Sequence, residues 1–275
     1  MEQSAAVGAP AAQLPIVAAR SRRREFVRAL MRNKGALAGL IILVLLILAA
    51  IFAPVITTYD PIQISPRDRT LPPSRDHWMG TDAFGRDIYT RVVYGARVSL
   101  PVGLIAVSIA ATAGAILGLI AGYYGRLADG IIMRIIDIML AFPNIMLALV
   151  IVAILGPSIR NVMIAVGIGE IPRYTRLIRG QVLSARELLY VEAARVVGVP
   201  TRKILFRHIL PNVVGPVIVL GTLSVGAAIL AAAGLSFLGL GPHPPRAEWG
   251  AMLADGRQFP RSRWWAATMP GLATA

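Results

Sequence analysis

Three groups of residues hold the chemistry available to this chain. The first is Glu192-Ala193-Ala194 with Gly198 and Leu210-Pro211, on a basic segment between two apolar runs. The second is Arg134, Asp137 and Glu170, ionisable side chains in or beside apolar runs, where charge is costly and implies a purpose. The third is His77, Asp82 and Asp87, metal-binding residue types at a spacing that fits no standard metal motif. The chain has no cysteine, its histidines are His77, His208 and His243, and no nucleophile–base pair is visible. A phosphate-binding loop needs Gly, four residues and Gly-Lys-Ser/Thr, and neither Lys34 nor Lys203 stands in that context. No catalytic, cofactor-binding or metal-ligating residue is therefore assigned. What remains is docking at the first group, and ion pairing or the lining of a path at the second.

The docking segment reads as a helix–turn–helix. Ser184 and Glu187 have the spacing of a capping box, in which each side chain satisfies a free backbone donor of the other residue. Nothing breaks a helix from Ala185 to Val197, and Gly198 and Pro200 end it. Thr201 is placed to cap a second helix through Arg202, Lys203 and Ile204 to Pro211. Ala193 and Ala194 carry so little side chain that another protein surface can approach closely, and Glu192 offers a polar contact.

The elements that must position these residues are membrane helices. Of the 275 residues 56% are apolar and only 15% charged, with a mean hydropathy of +0.67. A soluble protein carries about a quarter charged residues. The net charge of +14 is not spread as a nucleic-acid surface requires. Arg20, Arg22, Arg23, Arg24, Arg28, Arg32 and Lys34 crowd before the first apolar run; Arg173, Arg176, Arg179, Arg186, Arg195, Arg202, Lys203 and Arg207 crowd around the docking segment. Basic clusters beside spans mark cytoplasmic segments, so membrane lipid is the expected surrounding and nucleic acid is not a partner.

Five complete spans are expected at about 36–54, 99–121, 135–155, 162–177 and 213–238. The fourth is broken by Gly167, Gly169 and Pro172. Trp264-Trp265 opens the start of a sixth, which runs only to Ala275. Residues 1–34 form a basic, largely disordered cytoplasmic arm, and 35–275 the membrane domain. Segments 57–97 and 241–263 lie outside; a short turn at 122–130 and the docking loop at 178–211 lie inside. In the second span Gly114, Gly118 and Gly122 stack on one helix face, a ridge over which two helices can pack backbone to backbone. Arg134 and Asp137, three apart, can pair on one face, and Glu170 precedes Arg173 by the same interval.

The first group resembles the EAA loop of permease subunits in ABC importers: Glu-Ala-Ala, three residues, Gly, nine residues, then Ile-x-Leu-Pro, with His208 here at the Ile position. The loop before the second span, His77-Trp-Met-Gly80-Thr81-Asp82 and then Gly85-Arg86-Asp87, looks like tight turns closed by short polar side chains. With Ala53-Pro54, Gly122-Tyr-x-Gly, Asp129, Met133-Arg134, Asp137 and Ala141-Phe142-Pro143, it is similar to the C-type subunit of the dipeptide/oligopeptide/nickel permease family.

That resemblance implies an all-α polytopic transmembrane bundle of the type I ABC importer permease kind, in the bacterial inner membrane with its N-terminus cytoplasmic. It implies as partners a B-type sister permease, two cytoplasmic ABC ATPases that bind the ATP and Mg, and an extracytoplasmic binding protein. Peptide is the expected cargo and nickel the alternative; a secondary transporter or channel is the alternative class. Glu192, Ala193, Ala194, Gly198, Leu210 and Pro211 are the expected ATPase-coupling residues. Gly198→Asp is expected to abolish transport while membrane insertion stays intact, measured as uptake against the amount of chain in the membrane.

Overall fold

The computed structural model describes residues 34–242, 245–259 and 263–275, so the basic arm ahead of Lys34 and His243 lie outside the described residues. Two compact units are distinguished, Met1–Leu46 and Ile47–Ala275. The described part of the first belongs to α1, Lys34–Ile51, apolar on all sides, with Leu40, Ile41 and Leu45 exposed. A single turn, α2 (Ala53–Ile56), follows, begun by Pro54 near its N-terminus, where a missing N–H costs nothing.

The rest is helical apart from loops. The elements are α3 (Ile88–Tyr124), α4 (Arg126–Leu140), α5 (Asn144–Leu155), α6 (Ile159–Ala185), α7 (Leu189–Val196), α8 (Thr201–Phe237), α9 (Trp249–Gly256) and α10 (Trp265–Thr274). Among the described residues, α3 and α8 are each 37 residues long and apolar enough to cross a bilayer. The pair α4 and α5, bent by 91°, makes a third candidate span.

Several expected boundaries move. The second helix begins at Ile88 rather than 99, because Asp87 caps it there: its carboxylate accepts the Thr90 N–H at 2.7 Å. The inner turn expected over 122–130 shrinks to Gly125, whose φ of +60° lets the chain reverse from one helix directly into the next. The expected helix at 135–155 is two helices, parted at 141–143. Phe142 precedes a proline, a position that disfavours helical backbone, and Pro143 occupies the cap position just ahead of α5. Conversely, α6 is not broken. Gly167 and Gly169 make room for neighbours: a Cβ would lie 2.9 Å from the Ala106 carbonyl oxygen at the first and 2.2 Å from Asn144 Oδ1 at the second. Pro172 is buried within the continuous helix.

Of the four apolar clusters among the described residues, the two largest run through the bundle. One gathers Val102, Ala106 and Ala110 of α3, Val152 of α5, Val162 and Tyr174 of α6, and Ala228, Ala232 and Leu235 of α8. The other gathers Leu119, Ile178, Val182, Val191, Ala194, Ile204, Ile209 and Val213, and so takes in the short helix α7. Both depend on the approach of α3 to α6. A Cβ at Gly114, Gly118 or Gly122 would come within 2.4, 2.8 and 2.7 Å of the Cβ of Tyr174, Ile178 and Val182 respectively.

A folded loop layer covers the Ile88 end of α3. Gly85, at φ +76°, sits where a Cβ would strike the Ser65 carbonyl oxygen at 1.8 Å. Asp82 accepts the Phe84 and Arg86 N–H groups at 2.8 and 3.0 Å and the Arg86 Nε–H at 2.6 Å. His77 Nδ1 meets Asp87 at 2.9 Å. Trp249 of α9 lies against Gly95 and donates its indole N–H to the Val92 carbonyl at 2.9 Å. Glu248 caps α9 through the Gly250 and Ala251 N–H groups at 3.0 and 2.8 Å, and burial pushes its carboxyl above the usual range. Gly118→Leu is expected to cost about 1–3 kcal/mol, because the added atoms meet Thr175 and Arg179 backbone as well as side chain. Thermal unfolding in detergent measures it, with Gly130→Leu, whose Cβ meets nothing within 4 Å, as the unperturbed comparison.

Candidate docking and pathway site

The first helix of the docking segment differs from its sequence expectation at its start and ends as expected. Ser184 does not cap a helix. It lies inside the last turn of α6, its hydroxyl donating to the Gly180 carbonyl at 3.3 Å. Packing of Val182 on Gly122, and donation by Arg186 to the Gly122 carbonyl at 3.1 Å, carry α6 past the expected cap. Helix α7 begins only at Leu189, with no side-chain cap at Leu188. It ends on Gly198, at φ +80°: the Val199 N–H reaches the Ala194 carbonyl at 3.0 Å and the Gly198 N–H the Arg195 carbonyl at 2.9 Å. That paired pattern is a Schellman motif. Nothing lies within 4 Å of a Cβ built at Gly198, so a substitution there is strained by φ alone.

Within α7 the two faces divide cleanly. Leu189, Glu192, Ala193 and Val196, at the i, i+3, i+4, i+7 spacing of one helical face, are exposed. Leu189 and Val196 are 83% and 82% exposed. Val191 and Ala194 face inward, into the second core. Of the two alanines, therefore, only Ala193 is free to meet a partner. Leu189 and Val196 were missed by the sequence reading, although their heptad spacing beside Glu192 and Ala193 signals a shared face.

Thr201 is not a cap either; Pro200 precedes the helix and Thr201 is its first residue. The second helix does not stop at Pro211 but continues into the 37-residue α8. Ile204–Ile209 is a π turn. Pro211 cannot donate to the carbonyl four residues back, and a wider turn immediately ahead of it absorbs the mismatch. Asn212 then donates through Nδ2 to the His208 carbonyl at 2.8 Å and to the Tyr190 hydroxyl at 2.9 Å, while that hydroxyl donates to the same carbonyl at 3.3 Å. Tyr190 of α7 is thus bonded to the root of α8. Leu210 is half-buried against the second core and Pro211 is exposed.

The second group is arranged differently from the expected pairing. Asp137 does not pair with Arg134. Its partner is Arg176 of α6, at 2.7 Å, each side chain 54% exposed. Arg134 points away, lining an open cleft with Arg126, Gly130 and Ile131. Asp129 takes a two-pronged hydrogen bond from Arg179, 2.6 Å at Nη2. Asn144, first residue of α5, donates to Glu170 Oε1 at 2.5 Å, while Glu170 Oε2 is buried with no partner among the described residues. These contacts form three polar rungs that hold the bent pair α4–α5 against α6. Arg176, Arg179 and Asn144 carry them with the acids; no single-helix spacing signals such pairings between helices. In the third group, Asp82 and Asp87 are taken up by arginine, backbone and His77 contacts.

The comparisons with known proteins agree with this geometry. Residues 114–275 match the family described as binding-protein-dependent transport system inner membrane component, and residues 21–73 the N-terminal TM domain of oligopeptide transport permease C. The dipeptide transport system permease protein DppC of Alkalihalophilus pseudofirmus is 53% identical over 250 residues, covering 91% of this chain and 82% of that one. The probable D,D-dipeptide transport system permease protein DdpC of Escherichia coli is 47% identical, covering 85% of this chain and 78% of that one. Among solved structures, the methionine ABC transporter MetNI in inward-facing conformations shares the fold, with a TM-score of 0.51 at 16% identity over 66% of this chain and 87% of that one. A secondary transporter or free-standing channel gives way to these matches. The chain belongs to the family of inner-membrane permease components of binding-protein-dependent ABC transport systems, multi-pass subunits that are not enzymes and that work with an ATPase and a binding protein.

Proposed function

We propose that this chain is the C-type permease subunit of an importer for di- and oligopeptides, paired with a B-type sister permease. In this reading two cytoplasmic ATPases bind ATP and Mg, an extracytoplasmic protein delivers the cargo, and no cofactor belongs to this chain. The peptide cargo is supported by relatives named for dipeptide and D,D-dipeptide transport. The arginines ahead of the first apolar run support a cytoplasmic N-terminus. Five complete passes, with residues 1–34 as the arm and 35–275 as the membrane domain, then put 178–211 on the cytoplasmic side.

The observation that carries the coupling role is the exposed Leu189–Glu192–Ala193–Val196 face on a helix whose other face is buried. A partner that grips this face moves the foot of α8, because Tyr190, Asn212 and the His208 carbonyl join the two. Glu192 supplies the polar contact, Ala193 the close approach, and Gly198 the sharp exit. Leu210 and Pro211 set the angle at which α8 leaves.

Arg134, Asp137 and Glu170 line or gate the path. Support comes from exposure: Arg134, Asp137, Arg173 and Arg176 are all exposed on helices α4 and α6. Charged side chains against hydrocarbon are costly, so this face turns to water or to the sister subunit.

Cells lacking the gene and supplied with this chain are expected to regain uptake of labelled dipeptide but not of nickel; nickel uptake alone overturns the cargo assignment. Tyr190→Phe with Asn212→Ala is expected to lower uptake per ATP hydrolysed about fivefold, equivalent to about 1 kcal/mol of lost hydrogen bonding. Unchanged coupling with normal insertion would count against the link from α7 to α8.

A further inference from the structure

The first turns of α8 carry a basic feature that the exposed face of α7 and the path do not account for. Arg202, Lys203 and Arg207 surround a shallow concavity of about 690 Å³ with Pro200, Phe206 and Pro211. All three cations are exposed, and no carboxylate lies within ion-pair distance of them among the described residues. No Asp or Glu occurs in the sequence between Glu192 and Glu248, so no neighbour on this stretch of chain neutralises them. The π turn from Ile204 to Ile209 has more than four residues per turn, which brings Arg202, Phe206 and Arg207 together on one side.

The surface above this cluster is apolar. Phe206 is 56% exposed, and beyond it on α8 Ile218, Val219, Leu223 and Leu230 are exposed as well. Val219, Leu223 and Leu230, at i, i+4 and i+11, share one exposed face of a helix able to span the bilayer, a face that suits lipid tails. On the topology proposed above, this face runs toward the three cations at the cytoplasmic end of the helix. The docking helix α7 offers its partner a different surface, on the other side of the turn at Gly198.

We propose that this concavity is a binding site for an anionic phospholipid. Arg202, Lys203 and Arg207 hold the phosphate, Phe206 packs on the glycerol backbone and first methylenes, and one acyl chain lies along Val219 and Leu223. Basic pockets at the cytoplasmic end of spans suit phosphate-bearing headgroups, and arginine adds paired hydrogen bonds to the charge. The bound lipid would tether the foot of α8 at the π turn, beside the Tyr190–Asn212 link.

The test uses the assembled transporter in nanodiscs of phosphatidylglycerol and phosphatidylcholine, with retained lipid counted by native mass spectrometry. The wild type is expected to retain phosphatidylglycerol over phosphatidylcholine, and Arg202→Gln/Lys203→Gln/Arg207→Gln to lose that preference by about tenfold or more. Phe206→Ser is expected to weaken retention of both lipids while the headgroup preference survives. Equal retention of the two lipids by the wild type overturns the proposal. So does a triple variant that keeps its phosphatidylglycerol but sheds the ATPase, since the cluster would then be a protein contact.

Discussion

The close approach of α3 and α6 is the constraint on which the rest of the molecule depends. At Gly114, Gly118 and Gly122 there is no space for a β-carbon, and the facing Tyr174, Ile178 and Val182 lie over backbone. In a bilayer no hydrophobic drive brings helices together, so contact between backbones and the dispersion it allows must supply the cohesion. The two largest apolar clusters are built against this seam, one toward each end. The seam also sets where α6 stops. Val182 is still packed on Gly122 at the point where a capping box is legible in the sequence, and packing outweighs the local signal.

Polar contacts are kept to where they connect separate elements. Asp129–Arg179, Asp137–Arg176 and Asn144–Glu170 join a bent helix pair to its neighbour. Tyr190, Asn212 and the His208 carbonyl join α7 to α8. Such pairings add little net stability compared with apolar packing, yet breaking one partner of a shielded pair leaves an unsatisfied group. They therefore hold particular arrangements of helices.

What was legible in the sequence follows from the range of each signal. Gly198 announced its own turn because positive φ is a property of one residue. The glycine ridge was legible because its period matches the helix on which it lies. Gly167, Gly169 and Pro172 were misread as a break, since a glycine that admits a neighbouring Asn144 and one that weakens a helix look alike until the neighbour is known. The partner of Asp137 was equally hidden: Arg134 was near in sequence, but Arg176 was near in space. Tyr190 and Asn212, far apart along the chain and joined only by the fold, carried no sequence signal at all.

Helix α3 also acts on the scale of the whole membrane. At about 1.5 Å per residue, its 37 residues make a strut of about 55 Å. Near its first turns Trp249 is wedged against Gly95, and near its last turn Arg186 is anchored on the Gly122 carbonyl. A strut fastened at both ends converts rotation into displacement: by simple geometry, a tilt of about 5° about its middle carries each end roughly 2–3 Å, in opposite directions. A tilt of α3 would therefore move its loop-layer end and its Gly122 end in opposite directions.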